Sequence, residues 1–193
     1  MDVAQGPVGR RERKKAATRA HLADTALALF LEKGYENVTV RDVAAAADVS
    51  PTTLLNHFST KEALVVDLGD ELAEELRRVV VDRETRILDA LREYARDRVD
   101  RSAAANDPDS RRFMTLVLEN RDLSDYWRKT WMGHENVLAA AIREAIGAAA
   151  DDLRPEVTAH FVLDAIAFAI RSADPRRAVD TAFDVIVNGT SIE

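Results

Sequence analysis

Ser50, Pro51, Thr52, Thr53, Asn56 and His57 crowd short hydrogen-bonding side chains into one segment that carries a strong helix-start signal. Serine caps a helix by accepting a backbone amide, and proline at the first helical position forfeits no hydrogen bond while holding a helical φ. The spacing predicts a helix over Pro51–His57 that turns Leu54 and Phe58 inward and leaves Thr52, Thr53, Asn56 and His57 on its outer side. Free amides at a helix start favour phosphate, and Thr and Asn reach the base edges of a duplex without long stems. Lys61, just beyond, adds a phosphate-seeking cation. The same residues would also serve as plain caps between two short helices of an all-helical core, and this level leaves that alternative open.

A second pattern sits near the far end of the chain. Glu156, His160 and Asp164 recur every four residues, share one helical face and could in principle seed a metal site. The other half of a ligand set is not visible, and His160 can instead pair with acidic neighbours at a subunit surface. The four histidines, His21, His57, His134 and His160, stand in no recognisable nucleophile, phosphate-loop or zinc-protease motif. The expectation is a protein that is not an enzyme and needs neither cofactor nor metal.

The elements that must position the polar segment are legible upstream. Thr39 caps a short helix from about Val40, whose apolar face is Val43, Ala44 and Ala47. It ends at Asp48, a residue type that visits the left-handed turn conformation more readily than most. A first helix from about Lys14 to Lys33 offers Leu22, Ala26, Leu29 and Phe30, and Gly34 ends it. Together these make a three-helix, helix-turn-helix head over residues 14–60, preceded by a flexible basic arm over 1–13. From Arg10 to Arg19 six basic residues stand against one acidic, so Arg10, Arg11 and Arg13 are expected to reach an adjacent minor groove.

Composition bounds the rest. The 193 residues carry a net charge of −7, which argues against a polyanion partner until its distribution is read: residues 65–193 hold eighteen basic against twenty-six acidic side chains. A basic arm and reading head on an acidic body suit a protein that must orient on DNA. Seven glycines, five prolines and 6% aromatics favour long helices, and the chain reads as all-α. The absence of cysteine excludes disulfides and thiolate zinc sites and points to a cytoplasmic setting. The start MDVAQGPVGR lacks a signal-peptide core, and the most apolar stretch, Val157 to Ile170, contains Asp164 and is too short to span a bilayer, so no membrane partner is expected.

Across residues 18 to 64, the helix ending in Gly34-Tyr35, then Thr39-Val40, the alanine-rich helix, Val49-Ser50, His57-Phe58, Lys61-Glu62 and Leu64 resemble the tetracycline-repressor (TetR) family of transcriptional regulators. The resemblance implies a repressor that reads double-stranded operator DNA and releases it when a small-molecule effector binds. The candidate DNA-contacting set is Arg10, Arg11, Arg13, Thr39, Arg41, Ser50, Pro51, Thr52, Thr53, Leu55, Asn56, His57 and Lys61. Three positions depart from the family pattern: Thr52 and Asp48 stand where Gly is usual, and Leu55 where an aromatic, typically Tyr, touches the DNA backbone. Leu55 cannot donate that hydrogen bond, and apolar contact with a thymine methyl would replace it. The competing readings are a helical protein-interaction module without DNA binding and, further off, a metal-dependent helical enzyme.

Residues 61–193 form the expected ligand-binding and dimerisation domain. A helix is expected after Thr60, with Gly69 inside it, and others over about Glu84–Arg101, Arg111–Asn120, Ser124–Ile146 capped by Gly147, Pro155–Arg171 and Pro175–Asn188, with a break at Asn106–Ser110. Met114, Val117, Leu118, Asn120, Trp127, Trp131 and His134 mix large apolar and orienting polar groups as an effector pocket would, although an aromatic stripe serves equally as core. The segment Arg111–Ala140 loosely resembles the ligand domain of family members with acyl-CoA-like ligands. The last two helices offer Val157, Phe161, Ala165, Phe168, Val179, Phe183 and Ile186, and the resemblance implies that they form a four-helix homodimer interface with a second copy. The same faces would read identically as intrachain core.

Overall fold

Ten α-helices and two 3-10 turns account for most of the described residues, 9–66, 70–104 and 108–189, of the computed structural model, and no strand occurs among them. The chain divides into two units, Met1–Asp67 and Leu68–Glu193.

The first unit holds α1 (Arg10–Lys33), a 3-10 turn at Tyr35–Asn37, α2 (Val40–Ala46), α3 (Pro51–His57) and a second 3-10 turn at Glu62–Leu64. Its core is Leu22, Ala26 and Phe30 of α1 against Tyr35, Val38, Val43, Leu54 and Phe58. Gly34, at φ 83°, closes α1 by donating to the Phe30 carbonyl at 2.9 Å. The helix begins at Arg10 rather than near Lys14, so residues 10–13 are a helical turn and not a loose arm. Residues 1–8 of that arm lie outside the described residues. The expected helix after Thr60 is also revised. The Thr60 hydroxyl accepts the Ala63 amide and starts a 3-10 turn whose Ala63 and Leu64 are buried, which ties residues 61–66 to the head. Gly69 lies outside the described residues.

The second unit holds α4 (Asp70–Val81), α5 (Ile87–Ala104), α6 (Pro108–Glu119), α7 (Arg121–Met132), α8 (Glu135–Ile146), α9 (Arg154–Ile170) and α10 (Pro175–Asn188). α9 is the central post, packed against α5, α7, α8 and α10. Its alanines 159, 167 and 169 let those neighbours approach while Val162, Leu163 and Ile166 fill the space between them. Side-chain caps set the starts of α7 and α10, where Asn120 accepts the Leu123 amide and Asp174 the Arg177 amide, while before α9 Asp152 accepts the Arg154 amide from the residue preceding the N-cap position. Gly147, left-handed at φ 61°, ends α8.

One expected helix, Ser124–Ile146, is two. His134 Nδ1 donates to the Thr130 carbonyl at 2.9 Å, so a side chain takes the bond that a continuing helix would have supplied, and the chain breaks at Gly133-His134. α5 and α10 run antiparallel and are joined by three ion pairs, Arg92–Asp184, Arg96–Asp180 and Asp100–Arg176.

Candidate nucleic-acid interface

The turn between α2 and α3 is built by local bonds. Thr39 Oγ1 accepts the Asp42 amide at 3.2 Å while Asp42 Oδ2 accepts the Thr39 amide at 2.8 Å, a reciprocal cap. The Thr39 hydroxyl also donates to that carboxylate, and these hydrogen bonds hold the Asp42 pKa below the ordinary aspartate value. At the far end Val49 donates to the Ala44 carbonyl at 2.9 Å across Asp48, the one described non-glycine residue with positive φ, at 53°. Aspartate tolerates that geometry at a small cost, and it sets α3 across α2. Ser50 Oγ then accepts the Thr53 amide at 3.0 Å, with Pro51 in the first helical turn.

α3 buries Leu54 and, at its end, Phe58. Arg19 of α1 stacks 4.1 Å from the Phe58 ring centroid and donates to the His57 carbonyl, fixing the end of α3 against α1. With ~100° per residue, Pro51, Thr52, Leu55 and Asn56 fall on one outward arc, and all four are exposed. Thr53 and His57 sit on its half-buried flank rather than on the outer face, and the Thr53 hydroxyl is shared with Ser50 at 2.8 Å. Thr39 and Ser50 are exposed but committed to capping.

Lys61 is not a free cation. Its Nζ donates to the Tyr35 carbonyl at 2.6 Å and lies 3.9 Å from the Tyr35 ring centroid, so it locks the head internally. Arg41 and Arg13 are exposed, whereas the side chains of Arg10 and Arg11 lie outside those described. The minor-groove expectation for this segment conflicts with its helical form: an α-helix is about 10–12 Å across and the B-DNA minor groove only about 6 Å wide. A helical turn bearing Arg13, Lys14 and Lys15 suits the phosphate ridge instead.

In the second unit the described effector candidates differ in exposure. Val117 and Trp131 are fully buried, Leu118 is exposed and Met114 half-buried. Asn120 caps α7 and His134 ends it, so both polar groups serve the backbone. Trp127 and Trp131 stack at 5.8 Å, and the Trp131 indole donates to the Leu163 carbonyl at 2.9 Å. Two grooves are lined by described residues. One of about 560 Å³ between α4 and α5 is lined by Glu75, Val79, Tyr94 and Arg101 among others, and one of about 470 Å³ by Asn136, Ala140, Arg143, Gly147 and Glu156 among others.

A network that sequence reading missed borders the first groove. Arg98 lies 4.8 Å from the Trp131 ring and donates to Tyr94 Oη at 3.1 Å, and Tyr94 donates to Glu75 Oε2 at 3.1 Å. Burial, first, and the nearby Glu75 push the Tyr94 hydroxyl up to about 12 against the opposing pull of Arg98. The sequence signal was the i, i+4 spacing of Tyr94 and Arg98, which places both on one face of α5.

The candidate interface on α9 and α10 splits. Val157, Phe161 and Phe168 are 49%, 55% and 56% exposed and form a stripe along α9. Val179 and Phe183 are fully buried within this chain, Ala165 nearly so and Ile186 half-buried, so Val179 and Phe183 are core residues and not contacts for a second copy. Glu156, His160 and Asp164 do share a face, but each is engaged by a different partner: Arg143, Glu135 at 2.9 Å and Arg128 at 2.7 Å.

Comparison with known proteins joins both units to one group. The profile described as bacterial regulatory proteins, tetR family, matches residues 22–68, and that of the MftR C-terminal domain matches residues 85–190. A putative mycofactocin biosynthesis transcriptional regulator, MftR, of Mycobacterium tuberculosis is 27% identical over 92% of this chain and 93% of its own length. The transcriptional repressor KstR2 of Rhodococcus jostii is 30% identical over 86% of this chain and 84% of its own. Among solved structures, the TetR-family repressor FadR of Thermus thermophilus, in complex with lauroyl-CoA, shares the fold at a TM-score of 0.60 with 20% identity, covering 91% of this chain and 96% of that one.

Proposed function

Because the chain belongs to the TetR family of bacterial regulatory proteins, we propose that it is a transcriptional repressor that holds an inverted-repeat operator as a homodimer and releases it when a small amphipathic effector binds. The observation that carries this reading is the α2–α3 pair, whose left-handed Asp48 and Ser50 cap leave Thr52 and Asn56 exposed on one arc of α3. Thr and Asn on such an arc supply donors and acceptors matched to base edges in the major groove, and exposed Arg41, Arg13, Lys14 and Lys15 supply phosphate contacts. The full-length relatives are named as regulators and not as enzymes, which supports regulation as the whole activity.

The exposed α9 stripe of Val157, Phe161 and Phe168 is the surface a second copy would cover. Two heads related by a twofold axis would then read half-sites about one helical turn, or a multiple, apart. The FadR relative in structure carries lauroyl-CoA, and we take a bulky amphiphile of that chemistry as the effector class. It would bind the body better in a conformation whose heads are wrongly spaced, and so withdraw the dimer from DNA. The action is cytoplasmic; no described helix is long and apolar enough to cross a membrane.

A salt-resolved gel shift with genomic fragments tests the reading. Retarded fragments should share an inverted repeat, the log of affinity should fall linearly with log salt, and lauroyl-CoA should weaken the complex. Full-length protein that retards no fragment at low salt overturns DNA binding; retardation indifferent to every amphiphile overturns only the effector.

A further inference from the structure

Leu55 is 49% exposed on the α3 arc, between Pro51 and Thr52, with Asn56 on the far side of Thr52. Its neighbour Leu54 is fully buried, so α3 needs only one of the pair for its core, and the other is held outward by the same packing. The flanking hydroxyls of Ser50 and Thr53 are spent on each other. What the outer arc offers a partner is therefore an isobutyl group, a hydroxyl and a carboxamide in a row.

We propose that Leu55 is a specificity residue that reads the C5-methyl group of a thymine in each operator half-site. The inference rests on the DNA-binding reading above and deepens it. Thymine's methyl is the apolar group that base pairs display in the major groove, and leucine, which has no donor or acceptor, discriminates bases through it alone. Asn56, one position along, has the bidentate geometry for adenine, so Leu55 and Asn56 together select A·T pairs in adjacent steps. An exposed leucine against water gains nothing, whereas covering one methyl strengthens binding by about fourfold.

The test uses the full-length protein and duplexes enriched from a random-sequence pool. Each thymine of the winning duplex is replaced in turn by deoxyuridine, which removes the methyl and keeps every hydrogen bond, and affinity is read by fluorescence anisotropy. One thymine per half-site should lose about fourfold on replacement. The Leu55→Ala protein should bind the parent duplex weaker by a similar factor and no longer distinguish thymine from deoxyuridine at that position, while remaining sensitive to changes at the adenine facing Asn56. Because Leu55 lies outside the core, unchanged circular dichroism and melting confirm that the variant is folded. The inference is overturned if no methyl matters, or if Leu55→Ala weakens binding yet leaves the thymine–deoxyuridine difference intact. If no duplex is enriched at all, the DNA-binding reading falls and this inference with it.

Discussion

The two units are fastened differently. In the head the polar bonds that shape the α2–α3 turn span three positions, Thr39 with Asp42 and Ser50 with Thr53, and cations such as Lys61 are turned inward onto aromatic rings. In the body the charged bonds reach across the chain, with Arg92, Arg96 and Arg176 tying α5 to α10 over 92, 84 and 76 positions. Longer bonds, from Arg19 to the His57 carbonyl, Tyr35 to Glu62 and Lys61 to the Tyr35 carbonyl, then close the head around that turn. In the body the partly exposed ion pairs each add under about 1 kcal/mol, so they select which helix faces which more than they add stability.

The sharpest division lies between two phenylalanines of the body. Phe183 is fully buried and Phe168 is 56% exposed. Phe183→Ala should lower the unfolding free energy by about 3–5 kcal/mol in denaturant titrations followed by circular dichroism. Phe168→Ala should leave unfolding of the single chain close to unchanged and appear instead as weaker self-association in sedimentation velocity. Equal losses of chain stability in both variants would mean that the α9 stripe is ordinary core, and the contrast between buried and offered faces would be lost.

The head answers to smaller, local changes. Ser50→Ala removes the α3 cap and should cost about 1 kcal/mol, with a larger relative effect on DNA affinity because the cap also orients Thr52 and Asn56. Asp42 gives a pH signature. Its folded pKa lies below the unfolded value of 3.8, so the stability it contributes is present above that value and is lost as pH falls through the folded one. In the body, Glu74 and Asp152 are lowered to about 2 by hydrogen bonds from Arg77 and Arg154 respectively. NMR titration in high salt should raise the Glu74 and Asp152 values, whose hydrogen-bond donors are charged arginines, more than that of Asp42, whose donors are the neutral Thr39 hydroxyl and amide. Thr39→Val, which removes the hydroxyl bond and keeps that of the Thr39 amide, should raise the Asp42 value part of the way to normal; no change on that substitution would remove the hydroxyl as the largest cause.

Local encoding explains which parts of this architecture can be read from the residues. The bounds of α3 follow from Ser50-Pro51 and Phe58, and the turn from Asp48, because each signal acts on its immediate neighbours. The same logic fails where a distant atom decides. The break after Met132 depends on an imidazole folding back to Thr130, which looks from sequence like one more residue in a helical period. Apolar periodicity shows that Val179, Phe183, Val157 and Phe161 face something, but not whether that is this chain or a copy of it. Trp127 and Trp131 pose the same difficulty, since a stacked core pair and a pocket wall have the same spacing. On α3, Thr52 and Asn56 lie on the exposed arc expected of them, whereas the Tyr35 carbonyl that engages Lys61 leaves no trace in side-chain chemistry.

The smallest energies in the molecule carry a specification of their own. Along the α5–α10 contact the first two rungs put arginine on α5, Arg92 and Arg96, and the third reverses, with Asp100 facing Arg176. Sliding α10 by one turn in one direction would set Arg96 against Arg176, and in the other Asp100 against Asp180. Either slip meets like charges, so the reversed rung fixes register even though each pair contributes little to stability. Exchanging the last rung, Asp100→Arg together with Arg176→Asp, keeps three attractive pairs and should change the unfolding free energy by less than about 0.5 kcal/mol. It also makes a one-turn slip attractive at two rungs. Spin labels on the outer faces of α5 and α10 should then report a broadened distance distribution with a component displaced by about 5.4 Å, one helical turn, where the parent gives a single peak. A single unshifted peak in the exchanged protein would place register control in the buried side chains, Leu91 and Ala95 against Val179 and Phe183, and leave the surface charges of the body with no part in it.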